Sequence, residues 1–263
     1  MRYARVCFQD DDTPRWVRVS DEKYAVLAAA PWEREGERVI AEREQEGATL
    51  LAPCTPSKVV CVGRNYAAHA RELGNPLPTE PLLFLKPPSS IIGPGQAIKR
   101  PVSMSGEVHH EGELAVVLGA RLRHANVDEA RAAVFGYTIA NDVTARDIQR
   151  AENKFTRAKG FDTFCPLGPA LLSAAAIPDA GELELEVRVC GQLRQHGRTA
   201  DMVFSVPTLL AYISRVMTLE PGDVVLTGTP EGVGPLVAGD LVEISISGLG
   251  ILRNPVEDDA GPV

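Results

Sequence analysis

The sequence predicts a β-rich α+β fold with a small α/β module at its N-terminus, and three observations carry that prediction. From Lys58 onward most patterned segments are short and apolar or alternating, as strands are, and Gly and Pro separate them. Long helical patterns between consecutive strands are missing, which excludes a doubly wound parallel sheet. Residues 1–52 have a different texture, richer in charge, and the Pro-Cys-Thr-Pro run at 53–56 ends them as an extended linker.

In the N-terminal module, residues 3–7 alternate as a strand and the DDDTP run at 10–14 marks a turn. Residues 16–19 form a second strand, and the charge-rich stretch 33–46 predicts a helix. Beyond the linker, residues 59–62 read as a buried strand. Asn65 is placed to cap a helix over 66–73 that stops at Gly74. Residues 113–118 and 136–140 are strands, and 145–150 form a helix. Residues 183–189 alternate, turn at Cys190-Gly191 and return through 192–196, the pattern of a hairpin. Residues 207–217 suit a helix with Pro in its first turn, and 223–227 and 241–247 are again strands.

The chain has 263 residues, enough for a sizeable core, and a formal net charge of -8. That balance argues against nonspecific nucleic-acid binding, which rests on Lys and Arg neutralising phosphates. The longest apolar stretch, around residues 25–31, is far short of the roughly 18 residues a membrane helix needs, so no membrane association is expected. The start, MRYARVCFQDDD, meets acidic residues where a secretory signal needs an apolar run, and predicts a cytoplasmic protein. The five cysteines are scattered and without CxxC pairs, which points to reduced thiols rather than a disulfide frame or zinc knuckle.

Chemistry concentrates in a few strings. In HHEGELAVVLG, Glu111 and Glu113 stand two apart on a strand, so both side chains leave the same face. That strand is apolar on both faces, which buries it and demands partners for its charges. Asp142 follows the next apolar run, GYTIA, at a strand-to-helix junction. Three such carboxylates suit a hard divalent cation, Mg²⁺ or Mn²⁺, that prefers oxygen ligands. Alternatively, the glutamates pair with Arg or Lys at a rim and Asp142 only caps a helix. His109 and His110 point to opposite faces and are read as structural. His69 and Glu72 lie one helical turn apart, where they can hydrogen-bond or simply form a solvated face.

Lys159 sits in a basic run with Lys154 and Arg157, and the following GFDTF is apolar enough to draw it inward. Between Asp142 and Gly160 five basic residues stand against three acidic ones, which predicts a locally positive site inside an acidic protein. Tyr66 either lines a pocket or belongs to the core. Cys165 has no His near it in sequence and is read as structural, and Asp147 and Asp162 as anchors for neighbouring basic groups. TGTPEGVG at 227–234 is a Gly-rich loop that lacks the Lys and Ser/Thr ending of a P-loop.

Five blocks in the same order resemble the fumarylacetoacetate hydrolase family: GRNYAAH at 63–69, EGEL at 111–114, NDVTARDIQ at 141–149, RAKGFDTFCPLGP at 157–169 and TGTPEGVG at 227–234. Together they span nearly all of residues 58–256, and residues 1–52 lie outside the resemblance. It implies the family's mixed β-sandwich roll over 57–256, a homodimer, and Glu111, Glu113 and Asp142 as ligands of Mg²⁺, Mn²⁺ or Ca²⁺. It implies that His69 and Glu72 activate water or move a proton, from a mobile lid that includes the Gly- and Pro-rich residues 73–80. Lys159 would meet the substrate 2-oxo group, and Arg146 and Gln149 the distal carboxylate or keto group. Thr229 would serve the substrate carboxylate with its hydroxyl and backbone N–H.

The activity so implied is metal-dependent C–C hydrolysis of a small 2-oxo or 2,4-diketo acid, of acylpyruvase or fumarylacetoacetate hydrolase type, through an enolate stabilised by the metal and Lys159. Isomerisation of 2-hydroxyhepta-2,4-diene-1,7-dioate, or decarboxylation of 5-oxopent-3-ene-1,2,5-tricarboxylate or oxaloacetate, in aromatic catabolism, are the alternatives on the same site. An inactive 2-oxo-acid sensor is the alternative of another class.

Overall fold

The computed structural model describes residues 1–261 apart from Leu73, Asn75, Asn153 and Pro178. Its central strand is Gly112–Leu118, buried at all seven positions. Every residue after Glu113 in this strand is aliphatic, so both faces must be covered. It pairs antiparallel with Val134–Asn141 on one side and Val224–Leu226 on the other. The main sheet continues beyond Val134–Asn141 through Cys165–Ser173, Arg2–Phe8, Asp11–Val19 and Lys23–Leu27 to Val39–Glu44. Beyond Val224–Leu226 it runs through Val59–Gly63 to Leu82–Lys86.

A five-stranded sheet, in the order Gln192–Arg198, Glu184–Val189, Leu241–Ile246, Gly250–Asp259 and Ile98–Pro101, supplies the second layer. Leu114, Val116 and Leu118 share a core with Leu185, Val187 and Ile244 of that layer and with Leu209, Leu210 and Ile213 of the Val206–Val216 helix. Ala115 and Val117 point the other way, into a second core with Cys61, Leu167, Leu171 and Leu226. Gly112 sits at a close approach of the two layers. A Cβ there would collide with Val187 Cγ2 and come within 3.2 Å of Ile244 Cγ2, so close approach demands this glycine. A small sheet of Thr144–Ala145, Val108–His110 and Gly234–Pro235 ties three site-bearing segments together at one end. The few helices among the described residues are short, the longest being Val206–Val216, so the β-rich α+β class stands. None is long and apolar enough to cross a membrane.

The N-terminal residues depart from the α/β expectation. No helix forms over 33–46: turns and bends occupy 31–37, and Val39–Glu44 is a strand paired with Lys23–Leu27. At Gly36 a Cβ would meet the backbone of Ala30 and Pro31, a turn too tight for a helix to continue through. The charges that suggested a helix face instead pair locally, as Arg38 does with Glu35, or across strands, as Lys23 does with Glu44. The second strand begins at Asp11 rather than after the DDDTP run, with the turn at Gln9-Asp10. Arg2–Phe8 pairs with Cys165–Ser173, which makes these strands part of the main sheet.

Asn65 does not cap the Ala67–Glu72 helix. Its Nδ2 donates to the carbonyls of Phe204 at 3.1 Å and Thr227 at 2.8 Å, and its Oδ1 accepts from Phe204 N. The capping side chain is therefore used to clamp two distant loops. Leu73, the end of the predicted helix, lies outside the described residues, as does Asn75 in the 73–80 stretch.

Candidate active site

Strand register brings the three carboxylates together. Glu111 directly precedes the Gly112–Leu118 strand and Asp142 directly follows Val134–Asn141. These strands pair Gly112 with Asn141 and Glu113 with Ala140. Asp142 N donates to Glu111 O at 2.8 Å, and Glu111 N donates to Asn141 Oδ1 at 2.9 Å. Each of Glu111, Glu113 and Asp142 is buried, and one oxygen from each lies within 4.8 Å of the others.

Three cations meet this cluster. Arg146 Nη2 donates to Glu111 Oε1, and Lys159 Nζ bridges Glu111 Oε2 at 2.8 Å and Asp142 Oδ2. Lys86 Nζ donates to Asp142 Oδ1 at 2.6 Å and to Val143 O at 3.1 Å. Burial alone would raise the Glu111 pKa; the Lys159 and Arg146 charges outweigh it and hold that carboxyl well below its usual range. Burial lowers the Lys159 pKa, and Asp142 and Glu111 more than restore it, so it stays a cation. Glu113 differs: its hydrogen bond among the described residues comes from Gly228 N, at 2.7 Å, and no basic side chain pairs with it. Burial, then the Asp142 and Glu111 charges, push its carboxyl well above the ordinary value. The rim alternative fails, since both glutamates are buried and, among the described residues, Glu113 has no basic partner, although Glu111 and Asp142 do carry ion pairs and all three carboxylates converge. An all-oxygen cluster with one buried carboxylate that lacks a counter-charge fits a hard divalent cation.

His69 and Glu72 are joined as their spacing predicts. His69 Nδ1 lies 3.0 Å from Glu72 Oε2, and Glu72 Oε1 accepts from Gly232 N at 2.9 Å. A carboxylate only accepts, so Nδ1 carries the proton and Nε2 of the neutral ring keeps its lone pair. The same Gly-rich loop therefore supports the site twice, through Gly228 N on Glu113 and Gly232 N on Glu72. Gly228 has φ +97°, and a Cβ there would lie 2.8 Å from Asn65 Cβ. Only glycine brings that N–H onto the carboxylate.

A cavity of about 270 Å³ is lined by His69, the three carboxylates, Arg146, Gln149, Lys159 and Thr229. Nine of the ten residues the sequence singles out for the site therefore sit at or directly behind it, Glu72 standing behind His69. Tyr66 is the exception: it is 1 % exposed and absent from the cavity wall, in the core reading of the two left open. Arg146 and Gln149 contact each other, so Gln149 steers the guanidinium. The Thr229 hydroxyl donates to Gly112 O at 2.8 Å and accepts from Gln195 Nε2 at 2.7 Å, which commits its proton to the fold. His109 and His110 turn to Glu107 and Gln195. Burial pushes the Cys165 thiol up to about 12, in keeping with a structural role. Among the described residues no basic side chain pairs with Asp147; it accepts from Ser105 Oγ and Gly106 N.

Sequence reasoning missed two cations. Lys86 ends an apolar strand, LLFLK, and a lysine in such company is buried only if paired, which was the available signal. Arg64 stands inside the GRNYAAH block, lines the cavity and has positive φ (60°). Among the described residues no carboxylate pairs with it.

Residues 58–257 match the family described as fumarylacetoacetate (FAA) hydrolase C-terminal, and residues 1–53 match the one described as Rv2993c-like, N-terminal. An Arabidopsis thaliana protein named oxaloacetate tautomerase FAHD1, mitochondrial, is 46% identical over 79% of this chain and 94% of its own length. A Mycobacterium smegmatis 5-carboxymethyl-2-hydroxymuconate delta-isomerase structure is 41% identical, covers 98% of this chain and 100% of its own, and superposes with TM-score 0.90. The fumarylacetoacetate hydrolase structure from Exiguobacterium antarcticum is 37% identical with TM-score 0.87, over 98% and 100% of the two chains.

Proposed function

This chain belongs to the fumarylacetoacetate hydrolase family, and on that premise we propose that it is a divalent-metal-dependent enzyme that moves a proton beside the 2-oxo group of a small dicarboxylic 2-oxo acid, as a tautomerase or isomerase. The observation that carries this reading is the His69–Glu72 pair on the wall of the carboxylate-lined cavity. An imidazole with one nitrogen tied to a carboxylate presents the other as a proton acceptor, the arrangement general-base chemistry needs. Glu111, Glu113 and Asp142 would hold the cation, Mg²⁺ first among Mg²⁺, Mn²⁺ and Ca²⁺, and when bound it supplies Lewis acidity toward the 2-oxo acid. Lys159 offers a fixed positive charge where negative charge develops on the substrate oxygen. Arg64, Arg146 and Gln149 face the same space and suit the distal carboxylate.

C–C hydrolysis of an acylpyruvate is the second reading. It is favoured by the 37% identity to the Exiguobacterium hydrolase and needs only that His69 take its proton from water instead of carbon. A cytoplasmic homodimer belongs to the same proposal, the dimer being checked by light scattering. The deciding experiment follows the ultraviolet decay of enol-oxaloacetate and the cleavage of acetylpyruvate by the Mg²⁺-loaded protein and by His69→Ala. Loss of tautomerisation by roughly 10²- to 10⁴-fold is expected in the variant. Full tautomerase activity in His69→Ala removes His69 from the mechanism, and binding of both compounds without turnover by the native protein replaces the enzyme by a sensor.

A further inference from the structure

With all three carboxylates ionised, as holding a cation requires, the buried cluster carries three negative and three positive charges. Glu111, Glu113 and Asp142 face Lys86, Lys159 and Arg146, and every one of these six residues is at most 5 % exposed. The three basic groups are not equivalent. Lys159 and Arg146 line the cavity and hold oxygens that face it. Lys86 does not line it: its side chain is 0 % exposed and reaches Asp142 from behind, on Oδ1, while its second bond goes to the Val143 carbonyl. Lys159 is therefore placed to meet a ligand directly, whereas Lys86 is enclosed and can act on it only through Asp142.

From this geometry we infer that Lys86 is a positioning residue whose fixed charge makes cation and doubly charged anion bind together rather than independently. This rests on the metal-dependent reading above. A divalent ion held by these buried, ionised carboxylates leaves two positive charges uncompensated, which is costly. A dianion restores the balance, so each ligand raises the affinity of the other by the same factor. The two lysines divide Asp142 between them, Lys86 on Oδ1 and Lys159 on Oδ2. Without the Lys86 charge the same ionised cluster is one charge more negative. The cation then binds more tightly alone, and the dianion gains less from its presence.

The test is calorimetric and uses Mn²⁺ as the cation. Oxalate and oxamate serve as ligands of nearly the same shape that differ by one charge. In the native protein, oxalate should tighten Mn²⁺ binding by roughly five- to a hundredfold, and oxamate by distinctly less. In Lys86→Gln, which keeps a donor for Asp142 and Val143, Mn²⁺ alone should bind about tenfold more tightly and the oxalate effect should shrink by a similar factor. Lys86→Met, which lacks the donor, should behave like Lys86→Gln if charge is the cause. Equal coupling by oxalate and oxamate in the native protein overturns the inference, and that arm needs no variant to fold. So does a Lys86→Gln protein that binds Mn²⁺ no more tightly, or a change confined to Lys86→Met. No Mn²⁺ binding at all, in contrast, defeats the metal-dependent reading itself.

Discussion

Replacing Gly228 with alanine should destabilise the protein and loosen its metal site together. The residue has φ +97°, where an L side chain is strained by about 1–3 kcal/mol. Its new Cβ would stand 2.8 Å from Asn65 Cβ and 3.3 Å from Val62 O, well inside ordinary contact. Asn65 cannot retreat, because three hydrogen bonds fix its amide to Phe204 and Thr227. Overpacking of that kind costs about 1–3 kcal/mol more, and the lower entropy of the unfolded alanine chain returns only about 0.4–1 kcal/mol. The net loss is about 1–6 kcal/mol. Relief comes by moving the loop, which draws Gly228 N away from Glu113 Oε2 and leaves that buried carboxylate without its hydrogen bond. Urea unfolding of metal-free protein, monitored by circular dichroism, measures the first effect through the midpoint at constant slope. Mn²⁺ calorimetry measures the second. A variant that loses less than about 1 kcal/mol and binds Mn²⁺ with native affinity would refute the coupling between this glycine, the Asn65 clamp and the carboxylate.

Two further outcomes follow from the same geometry. Arg64→Gln should raise KM for dicarboxylic 2-oxo acids by about tenfold or more while leaving KM for monocarboxylic ones nearly unchanged, since a charge-assisted bond to the distal carboxylate is lost; equal effects on both substrates count against that contact. Mn²⁺ affinity should fall on acidification, beginning at a pH above the ordinary carboxylate range. Burial and neighbouring carboxylates raise the Glu113 pKa, so its protonated fraction grows on acidification and a protonated carboxyl is a poor ligand. Calorimetry in buffers of different ionisation enthalpy should then show protons released on Mn²⁺ binding, and their absence contradicts a protonated Glu113 in the metal-free state.

Much of the site was legible because its signals are local. Two carboxylates two apart on a strand share a face by the geometry of the pleat, and HxxE on a helix meets by the pitch of the helix. His69 with Glu72, and Glu111 with Glu113, accordingly lie together as their spacing predicts. The hairpin at 183–196 and the helix of Pro207 were equally readable from alternation and from proline's place in a first turn. The failures share a different cause. The stretch 33–46 has a helix-like distribution of charge, but the turn at Gly36 and pairing with Lys23–Leu27 override it. Asn65 has the chemistry of a cap and is used across 139 and 162 residues instead.

The strand-rich class of fold, the Glu111–Glu113 pair and the His69–Glu72 pair were readable in the chain alone, because each rests on local patterns, whereas Asp142 joins the glutamates only through strand register. Only the tertiary structure decided which cation serves which carboxylate. Lys86 reaches Asp142 across 56 residues, Lys159 reaches Glu111 across 48, and Gly228 reaches Glu113 across 115. The worth of those contacts depends on burial and sheet register, which arise when distant strands pair, so no local pattern encodes them.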